Sequence, residues 1–86
     1  MLITEMQAWT EFLEEGQMAD FLKSCSSRYF YDCKSAFSEG FLDGPAKARR
    51  YKYLDTVHAF GYNNSPLAAY DAGREYWQKS REILYK

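Results

Sequence analysis

The stretch SPLAAYDAGREYW, residues 65–77, decides how this chain folds. The Ser65 hydroxyl can accept a hydrogen bond from the first turn of a helix. Pro66 suits the first position of that helix, since its ring holds φ near the helical value. Apolar residues then recur at intervals of three and four, so we predict a last helix that runs to about Leu84.

This last helix carries two neighbouring seams. One seam is made of large side chains, whereas the other includes small ones, which would let the backbone of another helix approach closely. Because the two seams together could contact two neighbours, we predict that the helix is central to the fold. The first seam is Leu67, Tyr70, Trp77 and Leu84, and the second is Ala69, Ala72, Gly73, Tyr76 and Ile83.

The N-terminal region predicts a first helix. Thr4 and Gln7 have the spacing of a capping box, and apolar residues follow at helical intervals. Gly16 fits the left-handed position that commonly ends a helix, and residues 20–25 predict a short continuation. The predicted apolar side of the first helix is Met6, Trp9, Phe12 and Leu13.

Two more helices are predicted between residues 26 and 61. One begins at Ser26 or Ser27 and stops at the Gly44-Pro45 pair. The other begins at Pro45 and ends at Gly61. Their predicted buried stripes are Phe30, Cys33, Phe37 and Phe41 in the first of these helices, and Tyr51, Leu54 and Val57 in the second.

Length and composition agree with one small helical domain. The 86 residues leave no room for a second domain, and an aromatic share of 19% argues against disorder. No stretch alternates polar and apolar residues as a half-buried strand does. We therefore predict a single all-α domain over residues 1–86, a compact bundle of four or five helices.

The first residues lack the basic region and the apolar core of a signal peptide, and no apolar run could span a membrane. We expect a cytoplasmic protein with reduced thiols and no membrane contact.

Reactive side chains are few. Cys25 and Cys33 lie on apolar stripes, where burial would raise the thiol pKa, and His58 is the one histidine. A closed zinc site needs four ligands, usually with tightly spaced cysteines. We therefore expect no catalytic site, no metal and no cofactor.

Charge is distributed unevenly along the chain. The first 22 residues carry five acidic side chains and no lysine or arginine, whereas the remaining residues hold all eleven basic ones. The densest basic stretch, KARRYKY at residues 47–53, combines four cations with two tyrosines. Such a stretch could bind an acidic protein surface, could bind RNA through phosphates and stacked bases, or could pair internally with the acidic first helix.

The eight tyrosines outnumber what so small a core can hold. Tyrosine concentrates at protein interfaces because it offers a large contact area at little entropic cost. We expect several to be exposed, Tyr29 and Tyr31 among them, and to mark either a partner site or the seam of a homodimer.

Three stretches carry a family resemblance: AFSEGFLDG at residues 36–44, NSP at 64–66 and AYDAGREYW at 69–77. They resemble the small ribosome modulation factor-like proteins, many of them encoded by phages. Those proteins have a Gly-aromatic-x-x-Gly turn after one helix, an Asn-Pro or Cys-Pro entry into a second helix, and a Trp/Tyr-x-x-Gly-aromatic pattern inside it. The resemblance implies a ribosome or RNA partner.

The sequence thus favours a non-enzymatic interaction module of the phage or mobile-element type. It would inhibit or modulate a host or defence complex by covering part of its surface. The alternative is an RNA-binding or ribosome-associated factor. The candidate partner-binding residues are Lys47, Arg49, Arg50, Lys52, Tyr53, Tyr29 and Tyr31.

Overall fold

The computed structural model describes residues 4–46 and 49–85. Within these residues the chain forms five α-helices, joined in part by short 3-10 helices, and no strand. The predicted all-α class is therefore confirmed. The α-helices are α1 (Glu5–Glu15), α2 (Ala19–Ser24), α3 (Ser27–Asp43), α4 (Val57–Phe60) and α5 (Pro66–Tyr85), and the 3-10 helices are Gly44–Ala46, Arg50–Thr56 and Tyr62–Asn64.

Helix boundaries follow the capping residues that the sequence indicates. The Ser26 hydroxyl accepts a hydrogen bond from the backbone of Tyr29 at 3.2 Å, and the Ser65 hydroxyl accepts one from Ala68 at the same distance. The last residue of α3 is Asp43, and Gly44 after it has a φ of +56°, which suits a residue without a Cβ. These signals lie in the local sequence, which explains why the limits of α3 and the start of α5 were predictable.

The crossing of α3 and α5 forms the centre of the fold. A Cβ atom on Gly40 would lie 2.0 Å from the carbonyl oxygen of Tyr70, and one on Gly73 would lie 2.2 Å from that of Phe37. The two helix backbones are therefore in direct contact at two reciprocal glycines. The expectation that Gly73 admits a neighbouring backbone is confirmed.

The helix α1 covers one side of this crossing with aromatic rings. The ring centroid of Phe37 lies 5.3 Å from that of Trp9 and 5.0 Å from that of Phe12. Thr4 and Gln7 form the predicted capping box at the start of α1. Aromatic pairs at such distances stabilise a core beyond the area that they bury.

Two details predicted for α1 are wrong. Met6, assigned to its apolar side, is 77% exposed. Gly16 follows α1 with φ at −75°, an extended conformation and not a left-handed one. The need for glycine here is steric, because a Cβ at this position would lie 2.4 Å from the carbonyl oxygen of Phe12.

The helix predicted from Pro45 to Gly61 is also wrong in type. A 3-10 helix, Arg50–Thr56, leads directly into the single turn of α4. Residues three apart share an edge of a 3-10 helix, so the predicted stripe of Tyr51, Leu54 and Val57 does lie on one edge. That edge faces outward, since Tyr51 is 71% exposed and Leu54 is 49% exposed.

In the described part of the chain, none of the helices combines the length and the apolar content that a bilayer crossing requires.

Candidate interaction surface

Residues 49–60, called here the connecting segment, lie against α3 and α5 through charged side chains. Arg49 donates to Asp43, the last residue of α3, with 2.7 Å between Nη2 and Oδ1, and its backbone N–H donates to Oδ2 at 3.0 Å. The Tyr70 hydroxyl donates to the same carboxylate. Hydrogen bonds from Arg49 hold the pKa of Asp43 at about 2, well below its usual value.

A second ion pair lies one residue further along. The guanidinium of Arg50 forms two parallel hydrogen bonds with Asp71 on α5, at 2.8 and 3.0 Å. The hydroxyl of Tyr62 donates to the same carboxylate at 2.6 Å. Burial, followed by the bond to Asp71, raises the pKa of Tyr62 to about 12. This bidentate geometry fixes orientation as well as distance.

Glu39 on α3 holds the third cation. Its Oε1 atom lies 3.0 Å from Nζ of Lys52 and 3.6 Å from Nε of Arg49. The ring of Tyr53 packs beside that of the buried Tyr70, with 5.6 Å between the ring centroids. Burial first, and then a hydrogen bond with Glu39, raises the pKa of Tyr53.

The described cations of the basic stretch are therefore paired internally, which is one of the three alternatives that the sequence left open. The acidic partners differ from those expected, because the carboxylates come from α3 and α5 and not from the acidic first helix. Lys47 lies outside the described residues. The other predicted cations, Arg49, Arg50 and Lys52, lie close together, each beside a carboxylate.

The inward edge of the 3-10 helix consists of Arg50, Tyr53 and Thr56, and none of the residues of this helix is buried. The Thr56 hydroxyl accepts a hydrogen bond from the backbone of Leu67 at 3.3 Å. Polar contacts, together with the packing of Tyr53 against Tyr70, thus hold the 3-10 helix in place. We call the opposite pair, Tyr51 and Leu54, the outer edge.

The tyrosines of α3 divide between two environments. Tyr31 is 63% exposed, as predicted. Tyr29, also predicted to be exposed, is half-buried, and its hydroxyl donates to the backbone oxygen of Asn64 at 2.7 Å. Burial is the main cause that raises the pKa of Tyr29 to about 12. Tyr29 therefore has a structural contact in addition to any role at a surface.

The residues with catalytic or metal-binding chemistry lie in different surroundings. Cys33 is fully buried, and this burial raises its pKa to about 12, whereas His58 is exposed. Across residues 4–46 and 49–85, no group of three or more His, Cys, Asp or Glu side chains is arranged to hold a metal ion.

Comparison of the chain with protein-family models, with curated proteins and with solved structures gave no match. The resemblance to ribosome modulation factor-like proteins therefore stays a prediction.

The sequence reasoning missed the acidic half of this arrangement. Glu39 and Asp43 lie four residues apart on α3, so they project from the same side of that helix. Asp71, the third carboxylate, directly follows Tyr70 on α5. The sequence therefore held one usable signal. Glu39 and Asp43 have helical spacing and lie near Gly40, and they could have indicated an internal partner for the basic stretch.

Proposed function

We propose that this protein is a non-catalytic binding module that covers part of the surface of a protein partner, with the outer edge as the contact. One observation carries the proposal: the 3-10 helix turns Arg50 and Tyr53 towards α5 and exposes Tyr51 and Leu54 on its outer edge. Arg50 is bonded to Asp71, while Tyr51 is 71% exposed and Leu54 is 49% exposed. Arginine is usually exposed and leucine usually buried, so this helix reverses the common arrangement.

The ion pairs beneath the outer edge support this proposal energetically. Binding usually costs free energy to order a loop and its side chains. Here three carboxylates already hold the backbone that carries Tyr51 and Leu54. A partner would therefore meet a surface that needs little further ordering, and tyrosine is among the residues that contribute most to binding energy.

The same ion pairs weigh against the RNA alternative. Phosphate binding requires cations that can exchange mobile counterions for phosphate oxygens. Arg49, Arg50 and Lys52 each have a carboxylate within 3.0 Å, so a phosphate would have to displace it. An acidic protein partner would meet the same competition, which is why the proposed contact is apolar, with Lys52 at its rim.

The setting that we propose is the cytoplasm, where a phage or mobile-element protein would inhibit a host or defence complex. Both cysteines are free thiols, a state that a reducing compartment preserves. A body of 86 residues that acts through contact alone suits such inhibition by occupancy.

The test compares two matched double variants of the tagged protein in its host lysate. The first, Tyr51→Ser with Leu54→Ser, removes the outer edge. The control, Met6→Ser with Leu42→Ser, removes exposed apolar side chains elsewhere, since Met6 is 77% and Leu42 is 66% exposed. We expect the wild type and the control to retain the same protein partner after nuclease treatment, and the outer-edge variant to lose it.

Equal retention by both double variants would contradict the outer edge as the contact. Loss of the partner on nuclease treatment would favour the RNA alternative instead. Thermal melting of each variant accompanies the test, because only a variant that melts like the wild type reports on binding.

A further inference from the structure

A cleft lies between the end of α3 and the middle of α5, at residues that the outer edge does not include. Its volume is about 260 Å³, below the ~300–1,000 Å³ of pockets that hold drug-sized ligands. It therefore suits a group the size of one amino-acid residue. The lining residues are Gly44, Pro45, Arg74, Trp77 and Gln78.

The indole ring of Trp77 forms an apolar wall of the cleft and is held by two contacts. It packs against the backbone of Gly44, where an added Cβ would lie 3.0 Å from the ring. The guanidinium carbon of Arg81 lies 5.0 Å from the ring centroid, in a cation–π contact. Trp77 is nevertheless only half-buried. Covering its exposed part with an apolar group would be favourable, because aromatic surface would leave water.

Arg74 supplies the charge of the cleft. Its Nε atom donates to the carbonyl oxygen of Gly44 at 2.7 Å, which fixes the half-buried side chain at this place. That acceptor is neutral, and among the described residues no carboxylate lies within ion-pair distance of the Arg74 guanidinium. Arginine that is withdrawn from water is normally paired with an acid. The two Nη atoms of Arg74 therefore have donors to offer to a ligand.

The carboxylates closest to this arginine already bind other cations. Asp43, which precedes Gly44, accepts hydrogen bonds from Arg49. Asp71, three residues before Arg74 on α5, is bound in a bidentate manner by Arg50. Each carboxylate thus has its own arginine, and Arg74 is the cation left over.

The charge of the lining selects the kind of ligand. Arg74 is the one charged side chain among the lining residues, and Glu75, which follows it in the chain, lines a different cleft. Two Nη atoms of one guanidinium match the two oxygens of one carboxylate in geometry and in charge. A phosphate dianion would find a single cation in the lining. A carboxylate is therefore the better match.

We infer that this cleft binds a carboxylate whose neighbouring carbon carries an aromatic or aliphatic group. The carboxylate would lie against the Nη atoms of Arg74, and the apolar group against Trp77 and Pro45. The last residue of a partner protein has this chemistry, and so does a free N-acylated amino acid. The inference does not depend on the outer edge, since neither Tyr51 nor Leu54 lines the cleft.

The experiment follows amide and indole N–H signals of the isotope-labelled protein by NMR at pH 7 as N-acetyl-L-phenylalanine is added. Two control compounds each lack one feature: the amide of the same compound has no charge, and N-acetylglycine has no ring. We expect N-acetylphenylalanine to shift the Trp77 indole and the amides of residues 74–78, with a dissociation constant of about 1 mM. The controls should bind at least about tenfold more weakly. The indole of Trp9, which is buried in the core, should not shift.

A short peptide distinguishes the two sources of the carboxylate. Its sequence is acetyl-Gly-Ser-Gly-Phe, with a free C-terminal carboxylate. Binding at least as tight as that of N-acetylphenylalanine would assign the cleft to the last residue of a protein partner. Binding of N-acetylphenylalanine alone would assign it to a small free acid, and either result supports the carboxylate site.

Two pairs of variants make the test specific to the cleft. Gln78→Glu places a carboxylate one helical turn from Arg74, where it would occupy the free donors and weaken N-acetylphenylalanine binding about tenfold or more. Gln17→Glu makes the same change at an exposed position outside the cleft and should leave binding unchanged. Arg74→Gln should abolish binding, whereas Arg28→Gln, exposed at the other end of α3, should not alter it.

Three results would overturn the inference: equal binding of the acid and its amide, equal binding of N-acetylphenylalanine and N-acetylglycine, or an unchanged affinity in Gln78→Glu. Thermal melting of each variant accompanies the titrations. If Arg74→Gln does not fold, Gln78→Glu decides alone, because it retains the bond from Arg74 to Gly44.

Discussion

The crossing of α3 and α5 and the connecting segment lie against each other but are held together by different forces. At the crossing, Gly40 and Gly73 bring two backbones into contact, and the side chains around them are buried. In the connecting segment, the 3-10 helix has no fully buried residue, and it is held by ion pairs to Glu39, Asp43 and Asp71 and by the packing of Tyr53 against Tyr70. One region excludes water, whereas the other excludes little of it.

This difference indicates that the crossing of α3 and α5 gives the fold its stability, whereas the connecting segment mainly presents exposed side chains. A close-packed crossing tolerates almost no change in volume. Partly exposed ion pairs contribute less stability each, but they orient the backbone between them. The connecting segment can therefore expose Tyr51 and Leu54, because ion pairs and the ring of Tyr53 attach it to the rest of the protein. The two regions should respond differently to substitution and to pH.

The largest effect is expected from Gly40→Ala. Intrinsic helix propensity alone would make this change stabilising by about 1 kcal/mol. The added Cβ would instead lie 2.0 Å from the Tyr70 carbonyl oxygen, so the two helices would have to move apart. We expect a loss of about 3 kcal/mol or more in the free energy of unfolding, measured by urea denaturation.

Ser35→Ala serves as the control for Gly40→Ala, since Ser35 is exposed on the same helix. It should change stability by no more than about 0.5 kcal/mol. A Gly40→Ala protein as stable as the control would contradict direct backbone contact at the crossing.

Asp43→Ala should have the next largest effect. Its carboxylate accepts hydrogen bonds from Arg49 and from the hydroxyl of Tyr70, a residue with no exposed surface. Removing it leaves a buried hydroxyl without this acceptor and frees the start of the connecting segment. We expect a loss of about 2 kcal/mol in the free energy of unfolding, measured by urea denaturation, and faster proteolytic cleavage within residues 49–60.

The matched variant for Asp43→Ala is Asp55→Ala, in which an exposed acid of the connecting segment itself is removed. Its stability and its proteolysis rate should equal those of the wild type. Similar behaviour of the two variants would mean that general charge, and not the Asp43 contacts, holds the segment.

The two regions also differ in how far the sequence predicts them. Capping serines, apolar repeats and the small residue at position 73 indicated α3, α5 and the close approach of another backbone to α5, because those signals are local or periodic. The connecting segment depends on carboxylates that are distant in sequence. Asp71 is 21 residues from Arg50, and no local pattern indicates such a pair. When such a distant pair is not known, the sequence pattern of an exposed stripe cannot be distinguished from that of a buried stripe with the same period.

Acid should loosen the connecting segment before the crossing. The pKa of Asp43 is about 2 in the folded protein, against about 3.9 for an unfolded chain. The pKa of Asp71 is lowered as well by its bonds to Arg50 and Tyr62, which outweigh its burial. Since these pKa values are depressed by folding, the stability that they contribute is present above about pH 4 and is lost as the pH falls towards 2.

Amide hydrogen exchange measures this loosening residue by residue. The Arg49 amide donates to the Asp43 carboxylate, so its protection factor should fall between about pH 4 and pH 2, whereas amides of α3 and α5 at the crossing keep theirs. A simultaneous loss of protection in both regions would show that they unfold as one unit.

Leu54→Ser should have the smallest effect on stability. Comparing it with Tyr53→Ser compares the outer edge of the 3-10 helix with its inward edge. Leu54 is 49% exposed, so the change should alter the free energy of unfolding by no more than about 0.5 kcal/mol. Tyr53→Ser, one residue away, removes the ring that packs on Tyr70 and should cost about 1 kcal/mol or more. The order is decisive, because an α-helix with a buried stripe of Tyr51, Leu54 and Val57 would reverse it. Urea denaturation of the two variants under identical conditions therefore tests whether the connecting segment displays its apolar edge or buries it.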